Sequence, residues 1–148
     1  MTEPRSVLIQ ASAVAIEGRA IAIEGPAGSG KSSLALALIE RGAVLIGDDG
    51  VKLVREADTV LASPPPNISG LLEVRGVGLV ELATAPPTPL ALILDLGERG
   101  ERLPETVAQR ELLGIGIPTL DFEPGSIAPA ARALWALRKH GLDFTAPS

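Results

Sequence analysis

Apolar and polar positions change period several times along this chain, and each change marks an element. Residues 6–9, 13–16 and 20–23 are short apolar runs that read as three strands, with Glu17-Gly18-Arg19 as a tight connection between the second and third. At residues 32–41 the pattern becomes Ser-Ser-Leu-Ala-Leu-Ala-Leu-Ile-Glu-Arg, dense in good helix formers and closed by Gly42. Arg41 in that last turn would complement the negative end of the helix dipole. Residues 43–46 read as a buried strand ending at Gly47-Asp48-Asp49-Gly50.

The middle is less regular. Residues 51–54 and 59–61 suggest minor strands before a run of three prolines, and residues 71–80 place Glu73 and Arg75 among apolar residues and glycines. After the Pro86-Pro87 break, residues 90–95 form a core strand on pattern, and residues 110–120 read as two edge strands with a turn. A last helix is expected over residues 129–140, with Ser126 as its N-cap, Pro129 in its first turn and Gly141 at its end. Its Ala131, Leu134, Trp135 and Leu137 are expected to pack on the sheet, which reads Trp135 as core in preference to a stacking surface for a cofactor. His140 reads as a capping or solvated group.

The order strand, glycine-rich loop, helix, strand, acids predicts an α/β fold, one domain over residues 1–148 with a mixed central sheet and flanking helices. The length allows one substantial core. Net charge is −5, which argues against nonspecific attraction to nucleic acid or an anionic membrane, so phosphate recognition should be local. With no cysteine there is neither a disulfide framework nor thiolate chemistry, and no signal-like or membrane-length apolar run is seen. A soluble, cytoplasmic protein is the expectation.

The local phosphate site is the run Gly25-Pro26-Ala27-Gly28-Ser29-Gly30-Lys31-Ser32, continued by Ser33. Glycines let successive backbone N–H groups converge on phosphate oxygens, and the helix that follows points its positive end at the same anion. Lys31 should reach the β- and γ-phosphates of a nucleotide, and Ser32 should offer its hydroxyl to Mg²⁺. In a parallel arrangement, strand carboxyl ends gather at one edge, which brings Asp48 and Asp49 to the loop. One acid would orient metal or Lys31 and the other would handle the nucleophile's proton, and spacing alone leaves the order open. Glu73 and Arg75 either lie on an exposed strand face or approach the nucleotide, where Glu73 would complete the metal environment. Arg99 and Arg102 fall in a charge-rich, solvated loop. Nothing supports a zinc site or a Ser-His-Asp triad.

Together, the phosphate loop, Leu45-Ile46-Gly47-Asp48-Asp49 and Leu72-Glu73-Val74-Arg75-Gly76-Val77-Gly78-Leu79 resemble the catalytic domain of HPr kinase/phosphorylase, in its short proteobacterial form. The resemblance runs from about residue 7 to residue 137. It implies a compact P-loop kinase domain that uses ATP and Mg²⁺ to phosphorylate a serine of the phosphocarrier HPr, within carbohydrate regulation. It further implies Asp48 as base toward the substrate hydroxyl, Asp49 in the Lys31 and metal network, Glu73 near Mg²⁺, and Arg75 and Arg102 as family arginines. A homo-oligomer is suggested by the longer relatives. Two departures stand out: Gln10-Ala11-Ser12 lacks the family's histidine, and residues 120–125 lack its downstream arginine. The second weakens phosphorolysis more than kinase activity, because phosphorolysis brings another anion into the site. A nucleotide-binding regulatory protein and a P-loop small-molecule kinase are the alternative readings.

Overall fold

The computed structural model describes residues 5–66, 70–97 and 107–144. Eleven strands and two helices follow one another as β1 Ser6–Ile9, β2 Ser12–Ile16, β3 Arg19–Glu24, α1 Lys31–Ile39, β4 Val44–Gly47, β5 Val51–Glu56, β6 Thr59–Ser63, β7 Leu71–Val74, β8 Gly78–Glu81, β9 Thr88–Asp95, β10 Val107–Leu112, β11 Ile115–Asp121 and α2 Pro129–His140. Nine strands form one curled, mixed sheet in the order β1-β5-β6-β9-β3-β2-β4, with β11 joining β9 and β10 pairing β11.

Strand β9 holds the sheet together. Along one edge it runs parallel to β3, and on the other it pairs with β6 at its start and with β11 at its end. Its near-continuous apolar sequence is what burial on both faces demands. Ile21, Ile23, Leu92 and Leu94 face the helices and meet Leu34, Leu38, Leu134 and Leu137. Ala20, Ala22, Leu90 and Ile93 face the other way, against Val51, Leu53, Val60 and Ala62 of the curled-over strands. Both helices thus cover a single face, and strands cover the other.

Strands β2 and β3 are antiparallel, as are β2 and β4, so β4 points the same way as β3. The carboxyl ends of β3, β4, β9 and β11 therefore share one edge. Strands β7 and β8 form a separate hairpin, moored there because Thr84 bridges to Leu45 and the Ala85 N–H donates to the Leu45 carbonyl.

Several expectations are corrected. Helix α1 stops at Ile39, so Arg41 lies beyond its last turn, where the Gly42 N–H donates to the Ile39 carbonyl with Gly42 at φ 107°. Ser126 does not cap α2; Ala128 occupies that position in a left-handed conformation, with no side-chain hydrogen bond. Strand β11 is interior, because β9 takes its second edge. Trp135 is 63% exposed rather than in the core: Ala133, Leu134, Ala136 and Leu137 fill the face of α2 against the sheet, leaving the indole at its side. There the Arg138 guanidinium lies over the indole ring at 4.8 Å and also binds Glu17, whose carboxyl is held below its usual range chiefly by that hydrogen bond.

Candidate active site

The phosphate loop leaves β3 at Glu24 and enters α1 at Lys31. Gly25 has φ 155°, and a Cβ there would stand 2.6 Å from Ser29 Oγ and 3.1 Å from Leu96 Cβ, so only glycine fits between the loop and the end of β9. Gly30 caps α1 in a left-handed conformation at φ 104° without a side-chain hydrogen bond. The first-turn N–H groups of α1 are therefore presented by the loop rather than capped by a residue of their own helix, the arrangement that receives a phosphate. Lys31 Nζ donates to the carbonyls of Gly25 at 2.7 Å and Pro26 at 3.2 Å, which curls the ammonium over the loop. Glu24, just before the loop, binds Arg110 of β10 across the sheet.

Asp48 gathers the donors around it. Ser32 Oγ and Ser12 Oγ each donate to its Oδ1 at 2.7 Å, and the Glu73 N–H donates to its Oδ2 at 3.3 Å. One half-buried carboxylate thus ties α1, β2 and the β7–β8 hairpin to the end of β4. Asp49, by contrast, is exposed and left-handed at φ 65°, an uncommon conformation for a residue other than glycine. The structure therefore puts Asp48, not Asp49, against the P-loop hydroxyl, because Gly47 and the turn after it direct successive side chains apart. Backbone alternation buries Leu72 and turns Glu73 outward, so the Glu73 side chain is exposed beside the cluster, while Arg75 is exposed in the hairpin turn. Arg99 and Arg102 lie outside the described residues. Gln10 is exposed at the start of this region.

Ser12 was not legible as a site residue. It is fully buried, one of only two buried polar side chains among the described residues. The available signal was a lone hydroxyl heading the otherwise apolar strand Ser12–Ile16.

The residues 4–86, which span the loop, both aspartates and Glu73, match the model of the HPr Serine kinase C-terminal domain. The chain belongs to that family. It is 34% identical over 113 residues to the HPr kinase/phosphorylase of Geobacillus thermodenitrificans, covering 66% of this chain and 37% of that protein. To the HPr kinase/phosphorylase of Cupriavidus metallidurans it is 34% identical over 134 residues, 78% of this chain and 42% of that protein. The chain thus spans about two fifths of the length of the curated relatives it matches. The solved Hpr(Ser) kinase/phosphatase from Coxiella burnetii superposes with a TM-score of 0.78 at 25% identity, covering 90% of this chain and 95% of that one. The mixed P-loop kinase fold expected from the sequence is therefore the observed one, and the three-segment signature belongs to the family it resembled.

Among the described residues no helix is long and apolar enough to cross a membrane.

Proposed function

We propose that this chain is an ATP-dependent protein-serine kinase whose acceptor is the phosphocarrier HPr. The observation that carries the reading is Ser32 hydrogen-bonded to Asp48 beside the phosphate loop, in a chain of this family. The matched relatives are called HPr kinases, which supports the acceptor; a small-molecule kinase has no comparable support.

The donor set suits Mg²⁺. A P-loop hydroxyl, a half-buried carboxylate and the neighbouring Glu73 are hard oxygen donors, and no three acidic or imidazole side chains among the described residues form a metal site unaided. Mg²⁺ takes one or two carboxylates together with substrate phosphates, which this geometry provides. When bound, the ion would neutralise charge on the transferring phosphoryl group. Ser32, Asp48 and Glu73 would hold it, and Ser12 would orient Asp48. Lys31 would leave the loop carbonyls for the β- and γ-phosphates.

This assigns the aspartates in the reverse of the family-based expectation. Asp48 is committed to Ser32 and Ser12, whereas Asp49 is exposed, where an incoming serine hydroxyl can reach it. Asp49 would accept that proton as the oxygen attacks phosphorus in line, and ADP leaves with no phosphoenzyme formed. Arg75 would meet the acceptor or the phosphate from the hairpin turn, and a cytoplasmic setting follows from the acceptor. Residues 120–125 carry Asp121 and Glu123 where an arginine would serve a second anion, so the kinase direction should dominate.

The test is to incubate the protein with ATP, Mg²⁺ and HPr and locate transferred phosphate by mass spectrometry. Phosphoserine on HPr, lost in Asp49→Asn with ATP binding intact, is the expected result. ATP binding without transfer would replace this reading with that of a nucleotide-binding regulatory protein.

A further inference from the structure

On the opposite side of the phosphate loop from Asp48 lies a cavity of about 1150 Å³. It runs from Ser29 and Gly97 along Phe122 and Ile127 to Trp135 on α2. Its outer wall is built, not incidental. Arg132 donates from Nε to the Ile127 carbonyl at 2.9 Å and from Nη2 to the Glu123 carbonyl at 2.9 Å, and its guanidinium lies over the Phe122 ring at 4.9 Å. This wall also meets the phosphate loop, since a Cβ on Gly30 would touch Pro124 at 3.7 Å.

We propose that this cavity receives the nucleoside half of the bound nucleotide, with the base laid against Trp135. The inference rests on the kinase reading and extends it by locating a subsite. Strand order supplies the first reason. Along the shared edge the sequence of ends is β11, β9, β3, then β4 beyond the start of β2, so the loop after β3 stands between the cavity and Asp48. A nucleotide whose terminal phosphate lies near Asp48 and whose other phosphates lie in the loop must direct its nucleoside toward β9 and β11. At about 4.8 Å per strand, the edge from β4 to β11 covers about 19 Å, room for an extended nucleoside triphosphate.

Chemistry supplies the second. Ser29 Oγ, on the cavity wall, is buried and has no hydrogen-bond partner among the described residues, so a ribose hydroxyl or an α-phosphate oxygen entering there would satisfy it. Trp135 and Ile127 are 63% and 78% exposed, an apolar surface that a planar heterocycle would cover. Around them Asp121 and Glu123 balance Arg132 and Lys139, which suits a neutral base better than a further anion.

Trp135 is the one tryptophan of the sequence, so its fluorescence reports the cavity directly. The experiment titrates the full chain with Mg-ATP and with Mg-tripolyphosphate, which carries the phosphates without a nucleoside, while recording indole emission and calorimetric affinity. ATP should alter Trp135 emission and tripolyphosphate should not. In Trp135→Ala, ATP affinity should fall about tenfold while tripolyphosphate affinity stays the same, a stacking-sized effect. Ile127→Ala should give a smaller loss of the same kind. Unchanged ATP affinity in both variants, or equal loss for both ligands, would overturn the assignment while leaving the phosphate loop intact. If HPr peptide and not ATP perturbs Trp135, the cavity is a protein-docking site and the assignment fails. If neither ATP nor tripolyphosphate binds, the kinase reading itself fails and this subsite with it.

Discussion

Removing the Ser12 hydroxyl is the sharpest probe of the site. Ser12 is fully buried between Ala11 and Ala13, and its Oγ donates to Asp48 Oδ1 at 2.7 Å, the atom that also accepts Ser32 Oγ. Ser12→Ala deletes one oxygen and leaves little space, so the cavity penalty is small. A hydrogen bond to a carboxylate contributes about 1.5–3 kcal/mol, and deleting the hydroxyl returns part of its own desolvation cost. Asp48 is only half-buried and can recruit water in place of the lost donor. The net loss should be about 1–2 kcal/mol, which lowers the midpoint of thermal unfolding by about 2–8 °C for a domain of this size. Asp48 should then hold Ser32 less well, costing about tenfold in kcat/KM toward HPr, or about 1.4 kcal/mol at the transition state, with a higher Mg²⁺ requirement. Calorimetric unfolding and initial-rate kinetics across a Mg²⁺ titration measure these effects. Because Ser12 and Ser32 share one acceptor atom, Ser12→Ala and Ser32→Ala should be non-additive by at least about 0.5 kcal/mol in a double-mutant cycle. An unfolding midpoint within about 1 °C of the parent, together with an unchanged Mg²⁺ requirement, would refute the idea that Ser12 positions Asp48.

Lys31→Met should reduce phosphoryl transfer by about two to three orders of magnitude with little change in unfolding temperature, because its loop carbonyl contacts are partly exposed; radiolabelled transfer assays measure the first. Gly25→Ala should weaken ATP binding and destabilise the fold by about 1–3 kcal/mol, since the added methyl meets Ser29 and Leu96; denaturant titration and calorimetry read both effects. For Glu17, whose carboxyl the Arg138 hydrogen bond holds below its usual range, the stability sign follows from linkage. A depressed carboxyl stabilises the fold above its unfolded value, and the gain disappears as pH falls through the folded one. The difference in unfolding temperature between the parent and Glu17→Gln should therefore be small near neutrality, as both partners are exposed, and vanish in acid.

Local chemistry made much of this protein legible. The strand-loop-helix order around Gly25 to Ser33 and the apolar runs at β3 and β9 follow from short-range composition, because phosphate loops and apolar strands are dictated by neighbouring residues, whereas the β7–β8 hairpin lay in a stretch that read as irregular. The pair Asp48-Asp49 was visible as well, together with its place at a strand end beside the loop. Which of the two meets Ser32 was not, because the turn after Gly47, with Asp49 left-handed, sends the side chains apart and only the packed elements decide which one lies against α1. Ser12 became a site residue only when β2 was laid between β3 and β4, 36 residues from Asp48 in the chain. Trp135 read as core because it sits one turn from Ala131 and beside Leu134, yet the single apolar face of α2 runs through Ala133, Leu134, Ala136 and Leu137 and leaves the indole at its margin. Sequence alone therefore determined a glycine-rich loop of the phosphate-binding type between a strand and a helix, and a pair of acids at the end of the next strand. Which acid is anchored against Ser32, and where a cavity opens beside the loop, was decided by strand order, a property of contacts distant along the chain.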